Sequence, residues 1–307
     1  MRGTIQFYGI TQDPVTSDYA LVFELKNCSL RSYLNQNYNL MTWKMRLSIL
    51  ECICTGLQVV HDCDLVHKDL HINNILINEL TYFDDAENLE STCITDFGFC
   101  RPANEVSSHL KIYGVMPYMA PEVLRGGPYT ASSDIYSLGV IINEVISITP
   151  PFNKESHDHY LALDICRGRR PEISEETPEF LRELIQKCWD ANPENRPSSW
   201  EIATLLNDFK YTKGEKNNEP SYEYTEQYKK LITSSYNFTE LTKQNSSKMQ
   251  MQLKTHPQAI YTSRLISSSN LPEPMNCQDQ EEFVSSRDTV QVQTGEFIIV
   301  THFLSFV

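Results

Sequence analysis

The chain has 307 residues, 40% of them hydrophobic, which is enough to bury the core of one large domain or two modest ones. Its formal net charge of −14 excludes a general attraction to nucleic acid or to an anionic membrane surface. No apolar run approaches the roughly 20 residues of a membrane helix and residues 1–13 lack the layout of a secretory signal, so a cytosolic or nuclear protein is expected, with the cytoplasm preferred.

The first predicted element is a β-hairpin. Residues 4–10 and 20–25 are rich in residue types that favour strands, and Asp13-Pro14 lies between them as a turn. The two runs therefore predict an antiparallel pair of strands at the start of the chain.

A long buried helix is predicted next. Between residues 42 and 61 apolar positions recur at helical spacing, and Thr42 is placed to cap the first turn. Two short strands follow at residues 75–77 and 93–95. The acidic stretch between them predicts a solvated loop.

Beyond these strands the pattern is helical. Residues 134–147 are apolar on most sides, which predicts a buried helix, whereas the later helices are amphipathic. Thr177-Pro178 predicts a helix start with a capping residue followed by proline. Ser198 and Glu201 form a capping box that predicts the start of the last helix.

The composition changes after residue 210. Residues 211–307 are dominated by polar types and hold few apolar side chains, so too little apolar surface is present to offset the entropy of ordering. We expect this tail to be mostly disordered. Residues 297–307 are an apolar, β-prone exception that is too short to span a bilayer.

Several short motifs occur in order along the chain. They are His67-Lys68-Asp69 with Asn74, Asp96-Phe97-Gly98, Ala120-Pro121-Glu122, Asp134 and Asn195-Arg196-Pro197. Each motif is weak alone, because a tripeptide arises often by chance. The ordered set, however, resembles a protein kinase domain over residues 4–209.

The resemblance implies transfer of the γ-phosphoryl group of ATP to a Ser, Thr or Tyr hydroxyl of a protein substrate, with Mg²⁺ as cofactor. Asp69 stands at the position of the catalytic base, and Asn74 and Asp96 stand at the positions of the metal ligands. His71 lies where serine/threonine kinases carry a lysine. Two interpretations of His71 stay open: a hydrogen bond to the reacting phosphate, or a spectator, which we prefer.

The resemblance also implies supporting residues that do not touch substrate: His67, Phe97, Gly98, Glu122, Asp134 and Arg196. In the family, the histidine and the phenylalanine belong to a stacked apolar column. The glycine gives backbone freedom at the head of the activation segment. The aspartate props the catalytic loop, and the glutamate and arginine form a buried ion pair.

An adenine pocket is implied in part. If residues 20–25 lead into the hinge, Phe23 occupies the gatekeeper position and Glu24 to Lys26 supply backbone groups for the adenine edge. Leu76 resembles the floor of that pocket. In the alternative interpretation, Phe23 and Leu76 are plain core residues.

The fold class implied is α+β: a protein-kinase-like fold with a truncated β small lobe, reduced to hairpin and hinge, and a complete, mostly α-helical large lobe. The expected units are residues 1–27 for the small-lobe remnant and hinge, 28–210 for the large catalytic lobe and 211–307 for the tail.

Narrower resemblances point to a subgroup. Gly139, the three tryptophans and the stretch 193–197 are similar to the tyrosine-kinase-like group. The stretches 6–11 and 256–261 resemble kinases expanded in arbuscular mycorrhizal fungi.

The sequence departs from the family pattern because it holds no glycine-rich phosphate loop, no phosphate-binding lysine on a preceding strand and no glutamate partner for that lysine. One hypothesis is an active kinase of which this sequence is a fragment, with little or no turnover by these residues alone. A second is a catalytically dead, pseudokinase-like binding module whose exposed small-lobe edge recruits a partner protein. A third is a decayed product that folds poorly.

Overall fold

A computed structural model describes residues 3–78, 92–103, 112–210, 254–267, 270–277, 280 and 282–288. Within these ranges, a β-hairpin opens the chain, short strands alternate with the first helices, and the chain is mostly helical from residue 121 to residue 210. The predicted α+β fold is confirmed. None of the helices in the described ranges combines the length and apolar character that crossing a membrane requires.

The helices of the described chain are α1 (Leu30–Asn37), α2 (Trp43–Asp62), α3 (Pro121–Leu124), α4 (Ala131–Ser147), α5 (His159–Cys166), α6 (Glu179–Cys188) and α7 (Ser199–Lys210). Helix α4 is buried along nearly its whole length, as its apolar sequence predicts. Helix α2 packs against α4 and α7, and α6 packs on α4. The core therefore lies around α2 and α4.

The strands are β1 (Phe7–Gln12), β2 (Tyr19–Phe23), β3 (Cys28–Ser29), β4 (Leu65–Val66), β5 (Ile75–Ile77), β6 (Cys93–Ile94), β7 (Arg101–Pro102), β8 (Ile112–Gly114) and β9 (Arg264–Ile266). In the described part of the chain they form four antiparallel sheets: β1 with β2, β3 with β5 and β6, β4 with β7, and β8 with β9. The sheet of β3, β5 and β6 matters most for the site, because both motif regions continue from it.

The predicted hairpin is confirmed. Strand β1 pairs with β2, and the Asp13 carboxylate accepts hydrogen bonds from the Val15 and Thr16 amides at 2.7 and 3.0 Å. This side-chain turn explains the reversal, because an aspartate can replace backbone partners in a tight turn. The predicted acidic loop between β5 and β6 falls largely on residues 79–91, outside the described residues.

Helix starts follow local chemistry with one exception. Thr42 caps α2 by accepting from the Met45 amide at 3.2 Å, and Ser198 and Glu201 form the predicted capping box. The predicted cap at Thr177 is wrong, because α6 begins one residue later with Pro178 as its cap and no side-chain cap bond.

Parts of the C-terminal region pack on the helical lobe. Strand β9 pairs with β8, and Arg287 donates two hydrogen bonds to the Asp158 carboxylate at 2.8 and 2.9 Å. The expectation of a mostly disordered tail therefore does not hold for the described stretches between 254 and 288. Residues 211–253 and the apolar stretch 297–307 lie outside the described residues.

The contact between α4 and α6 gives a test of packing. A Cβ atom added at Gly139 would lie 2.6 Å from the Cβ of Cys188, which has no flexible side chain to move away. We expect Gly139→Ala to lower the free energy of unfolding by about 1–3 kcal/mol, although alanine favours a helix more than glycine does. Denaturant unfolding measures this change. Gln186→Ala, at an exposed position of α6, should stay within about 0.5 kcal/mol of the parent, and equal stability of the two variants would contradict the close packing.

Candidate active site

The loop that carries the proposed base runs between β4 and β5 and is held by its own side chains. The side-chain nitrogen of Asn74, Nδ2, donates to the backbone carbonyl of Asp69 at 2.9 Å. Both residues are buried, at 5% and 9% exposure. The bond fixes the backbone of Asp69 relative to the end of the loop.

The second motif meets this loop through the β-sheet. The Ile75↔Ile94 pairing sets Asn74 opposite Thr95, whose amide donates to the Asn74 carbonyl at 2.9 Å. Asp96 follows directly and is exposed. Two side chains far apart in sequence, Asn74 and Asp96, are thus brought to the same end of one sheet.

The local backbone at Asp96 differs from the expectation for Gly98. Asp96 has φ of +61°, the left-handed conformation, whereas Gly98 has no positive φ and lies in a short 3₁₀ turn. The expected backbone freedom is therefore needed at Asp96. The absence of a side chain at Gly98 leaves room for the Asp96 carboxylate, since a Cβ there would lie 3.2 Å from Oδ1 of Asp96.

Asn74 and Asp96 carry side-chain oxygens of the kind that could hold a divalent cation. The Asn74 amide nitrogen is used as a donor, so its oxygen is the atom that can ligate a cation. Asp96 offers an exposed carboxylate, and both are hard oxygen donors of the kind Mg²⁺ prefers. Within the described ranges no cluster of three His, Cys, Asp or Glu could hold a metal by itself, so further oxygens would come from phosphates or water.

Asp134 on α4 supports the loop from below. Its carboxylate accepts hydrogen bonds from the amides of His67 at 2.7 Å and Lys68 at 3.1 Å, and lies 3.1 Å from Nε2 of His61. Lys68 has φ of +70°, a left-handed conformation that costs free energy in a residue with a side chain. The bonds to Asp134 hold this strained turn.

His67 and Phe97 lie against each other beneath the loop. Their ring centroids are 5.3 Å apart, and His67 is fully buried with Nε2 at 3.0 Å from the Thr95 carbonyl. The contact ties the base-bearing loop to the segment after β6. It is a packing contact between a buried ring and a half-buried one.

Glu122 and Arg196 form a two-bond ion pair at 2.7 and 2.8 Å, and the Arg196 side chain is completely buried. The same guanidinium donates to the carbonyls of Asp190 and Ser132. Such a pair is costly to break from one side, by about 3–5 kcal/mol, because the remaining charge stays buried.

His71 is brought near the proposed base. Its Nε2 lies 3.7 Å from Oδ2 of Asp69, and its ring centroid is 6.0 Å from that of Tyr118. His71 is 5% exposed, and Nδ1 meets no hydrogen-bond partner within the described chain.

The proposed adenine-side residues have different surroundings. Phe23 is 42% exposed and contacts Phe7 at 5.4 Å between ring centroids, so the described structure does not place it in the core. Leu76 is half-buried. The Lys26 side chain is 5% exposed and pairs with Glu24 at 2.8 Å.

The motifs did not reveal a charged cluster beside the site. Arg31 on α1 lies 2.6 Å from both the Tyr118 hydroxyl and the Glu144 carboxylate, and Tyr118 donates to Glu144 at 2.5 Å. Burial raises the pKa of Glu144, although Arg31 opposes the shift. The only sequence signal was a single acidic residue within the apolar run of α4.

The support by Asp134 gives a second test. Asparagine at this position keeps the shape, but one acceptor oxygen becomes a donor, so one buried amide of the loop loses its partner. We expect Asp134→Asn to lower the free energy of unfolding by about 1–3 kcal/mol and to speed amide exchange at His67 or Lys68. Asp62→Asn, at an exposed position, should change neither quantity. Unchanged exchange in Asp134→Asn would refute this support.

Comparisons with known proteins find protein kinases among the relatives of this chain. The chain is 34% identical over 200 residues to the probable serine/threonine-protein kinase roco8 of Dictyostelium discoideum, covering 62% of this chain and 10% of that protein. It is 32% identical over 193 residues to the dual specificity protein kinase shkD of the same organism, covering 61% and 25%. A putative serine/threonine-protein kinase/receptor R818 of Acanthamoeba polyphaga mimivirus is 33% identical over 168 residues, covering 54% and 10%.

The chain therefore spans a quarter or less of the length of these three relatives. The family model of the protein kinase domain matches residues 2–209, which is more than half of the chain. This chain belongs to the protein kinase family.

Proposed function

We propose that the protein containing this site transfers the γ-phosphoryl group of ATP to a hydroxyl of a protein substrate. The observation that supports the proposal is the chain of hydrogen bonds from the Asp69 carbonyl through Asn74 to Thr95, which links the backbone segments that carry Asp69, Asn74 and Asp96. The printed names of the relatives, serine/threonine and dual specificity kinases, support a Ser or Thr acceptor, with Tyr kept as an alternative.

Each residue has a defined part in the proposed reaction. Asp69 orients the substrate hydroxyl and takes its proton as the oxygen attacks the γ-phosphorus. Asn74 and Asp96 would hold a cation, Mg²⁺, whose charge would offset the negative charge of the nucleotide phosphates. The new bond joins the substrate oxygen to phosphorus, the bond to the β-phosphate oxygen breaks, and ADP leaves while Asp69 returns the proton to solvent.

His71 is better explained as a spectator than as a phosphate ligand. The ring is 5% exposed and faces Tyr118, and its distance of 3.7 Å from Asp69 exceeds a hydrogen bond. We propose that it shapes the wall beside the base. On the adenine side, backbone groups of Glu24 to Lys26 remain our proposal for the hinge contacts, with Phe23 as gatekeeper and Leu76 as floor.

A cytoplasmic place for the protein is also proposed. Six of the nine cysteines in the sequence carry free thiols in the described structure: Cys54, Cys63, Cys93, Cys100, Cys166 and Cys188. Free thiols are typical of a reducing compartment. Membership of the tyrosine-kinase-like group and the likeness to fungal kinases stay predictions.

A second candidate function is a binding role at the hairpin. Ile10 and Leu21 are 64% and 60% exposed, and Phe7 is 46% exposed, so apolar side chains of both strands face solvent in the described structure. An exposed strand edge with apolar neighbours can accept a strand from a partner protein. This candidate requires neither a nucleotide nor Asp69.

Nucleotide binding separates the two candidates. Ligand that binds only the folded state stabilises it, by about 2.7 kcal/mol at a hundred times its dissociation constant. We expect Mg-ATP to raise the melting temperature of the 307-residue chain by roughly 5 °C. Asp96→Asn should remove most of the shift, whereas Asp62→Asn should keep it.

Turnover then tests the base. Each absent electrostatic contact to the phosphates costs about 10²–10³ in rate, so we expect slow phosphotransfer from this chain. Asp69→Asn should keep the Mg-ATP shift and lose the phosphotransfer. No shift at saturating Mg-ATP in the parent protein would favour the binding module instead.

A further inference from the structure

One C-terminal segment crosses the face of the lobe close to the proposed base. The His256 amide donates to the Asn153 carbonyl at 2.7 Å, and the His157 amide donates to the Gln258 carbonyl at 3.0 Å. These bonds lead the chain from the loop before α5 towards the catalytic loop. We call residues 260–266 the strap.

Tyr261 anchors the strap at its upstream end. Its carbonyl accepts from the Asn73 side chain at 3.0 Å, and its hydroxyl donates to the Pro151 carbonyl at 2.9 Å. The Arg31 guanidinium stacks over its ring at 4.6 Å, and the His157 ring meets it edge-on at 4.9 Å. Four independent contacts therefore hold one side chain and its carbonyl.

The downstream end of the strap is a β-strand. Arg264 pairs with Gly114, and Ile266 pairs with Ile112 and is buried at 5% exposure. The Arg264 side chain also donates to the His157 carbonyl. Backbone pairing plus a buried side chain is the general way in which a sheet edge takes up an extended peptide.

Both anchors contact elements next to the motif residues. Asn73 is in the loop that carries Asp69, and β8 is in the segment that joins Asp96 to Glu122. In the proposed reaction a protein hydroxyl has to reach Asp69, which lies in the same loop as Asn73. Between the anchors lie Thr262 and Ser263, both exposed and both bearing hydroxyl groups.

A second contact downstream supports stable docking. The Asp164 carboxylate accepts from the Ser286 amide at 2.8 Å and from the Ser285 hydroxyl at 2.7 Å, next to the ion pair of Arg287 with Asp158. Asp164 is fully buried. The strap is thus fixed to the lobe on both sides, at residues 256–258 and at 285–287.

We propose that the strap fills the groove through which a protein substrate reaches Asp69 and acts as a built-in competitor. The proposal rests on the proposed phosphotransfer function for the identity of the groove. The groove fits an extended peptide with an aromatic residue, two hydroxyl-bearing residues, a basic residue and, two positions later, a β-branched residue. Such a peptide binds only when the strap leaves.

The test uses the full chain and a fluorescein-labelled synthetic peptide with the sequence of residues 258–267. Because the tethered strap competes at a high effective concentration, the parent should bind this peptide weakly. The double variant Tyr261→Ala with Arg264→Ala should bind it roughly tenfold more tightly or better, as measured by fluorescence anisotropy. Gln258→Ala, whose side chain is exposed, should behave like the parent.

Hydrogen exchange reports docking without any nucleotide. Backbone amides of residues 112–114 and 264–266 should be protected in the parent and exchange roughly tenfold faster or more in the double variant. Leu265→Pro, at a 52% exposed position, interrupts the strand from outside the core and keeps the test valid if the double variant unfolds. Rapid exchange of these amides in the parent, or equal peptide affinity of parent and folded variants, would overturn the proposal.

The outcomes of these experiments distinguish a failure of the strap proposal from a failure of the proposed function. If the variants gain peptide binding but Mg-ATP never stabilises the chain, the strap lies in a peptide groove and the phosphotransfer proposal fails. If Mg-ATP stabilises the chain and Asp69-dependent phosphotransfer is seen, yet loosening changes neither exchange nor peptide affinity, the strap proposal fails alone. When the phosphotransfer proposal and the strap proposal both hold, the double variant should phosphorylate the synthetic peptide faster than the parent.

Discussion

The buried carboxylate of Asp134 is the constraint on which the site depends. It joins the most buried helix of the lobe to two consecutive amides of the loop that carries Asp69. One of these residues, Lys68, is held in a left-handed conformation that the loop would leave without such partners. Because α4 is packed on nearly every side, its position is fixed. A displacement of α4 would therefore also displace the loop that carries Asp69.

Elements with a local cause could be predicted from the sequence. The helix after Thr42, the hairpin around Asp13 and the capping box at Ser198 each depend on side chains within a few residues of one another. The docked stretches between 254 and 288 could not be predicted in the same way. Their polar composition argues against an independent core, but a segment that pairs with an existing strand and donates to Asp164 needs no core of its own.

The residues of the site also differ in how far the sequence alone could predict them. Asp69, Asn74 and Asp96 stand in short ordered motifs, so their residue types and spacing predict a phosphoryl-transfer site from the sequence alone. Arg31 lies 87 residues before Tyr118 and still further from Glu144, and no spacing rule links α1 to the last turn of α4. Only the fold brings these charges together.

Arg31 connects this cluster to the strap. Its guanidinium contacts Glu144 and Tyr118 on one side and the face of the Tyr261 ring on the other. Removal of the ring would admit water to the guanidinium, and a better hydrated cation interacts less strongly with a buried carboxylate. Burial already raises the pKa of Glu144, so a weaker Arg31 contact would raise it further. Release of the strap and the pKa of Glu144 are therefore coupled through Arg31. A bound peptide that places another aromatic ring over Arg31 would restore the ring contact and reverse the rise in the pKa of Glu144.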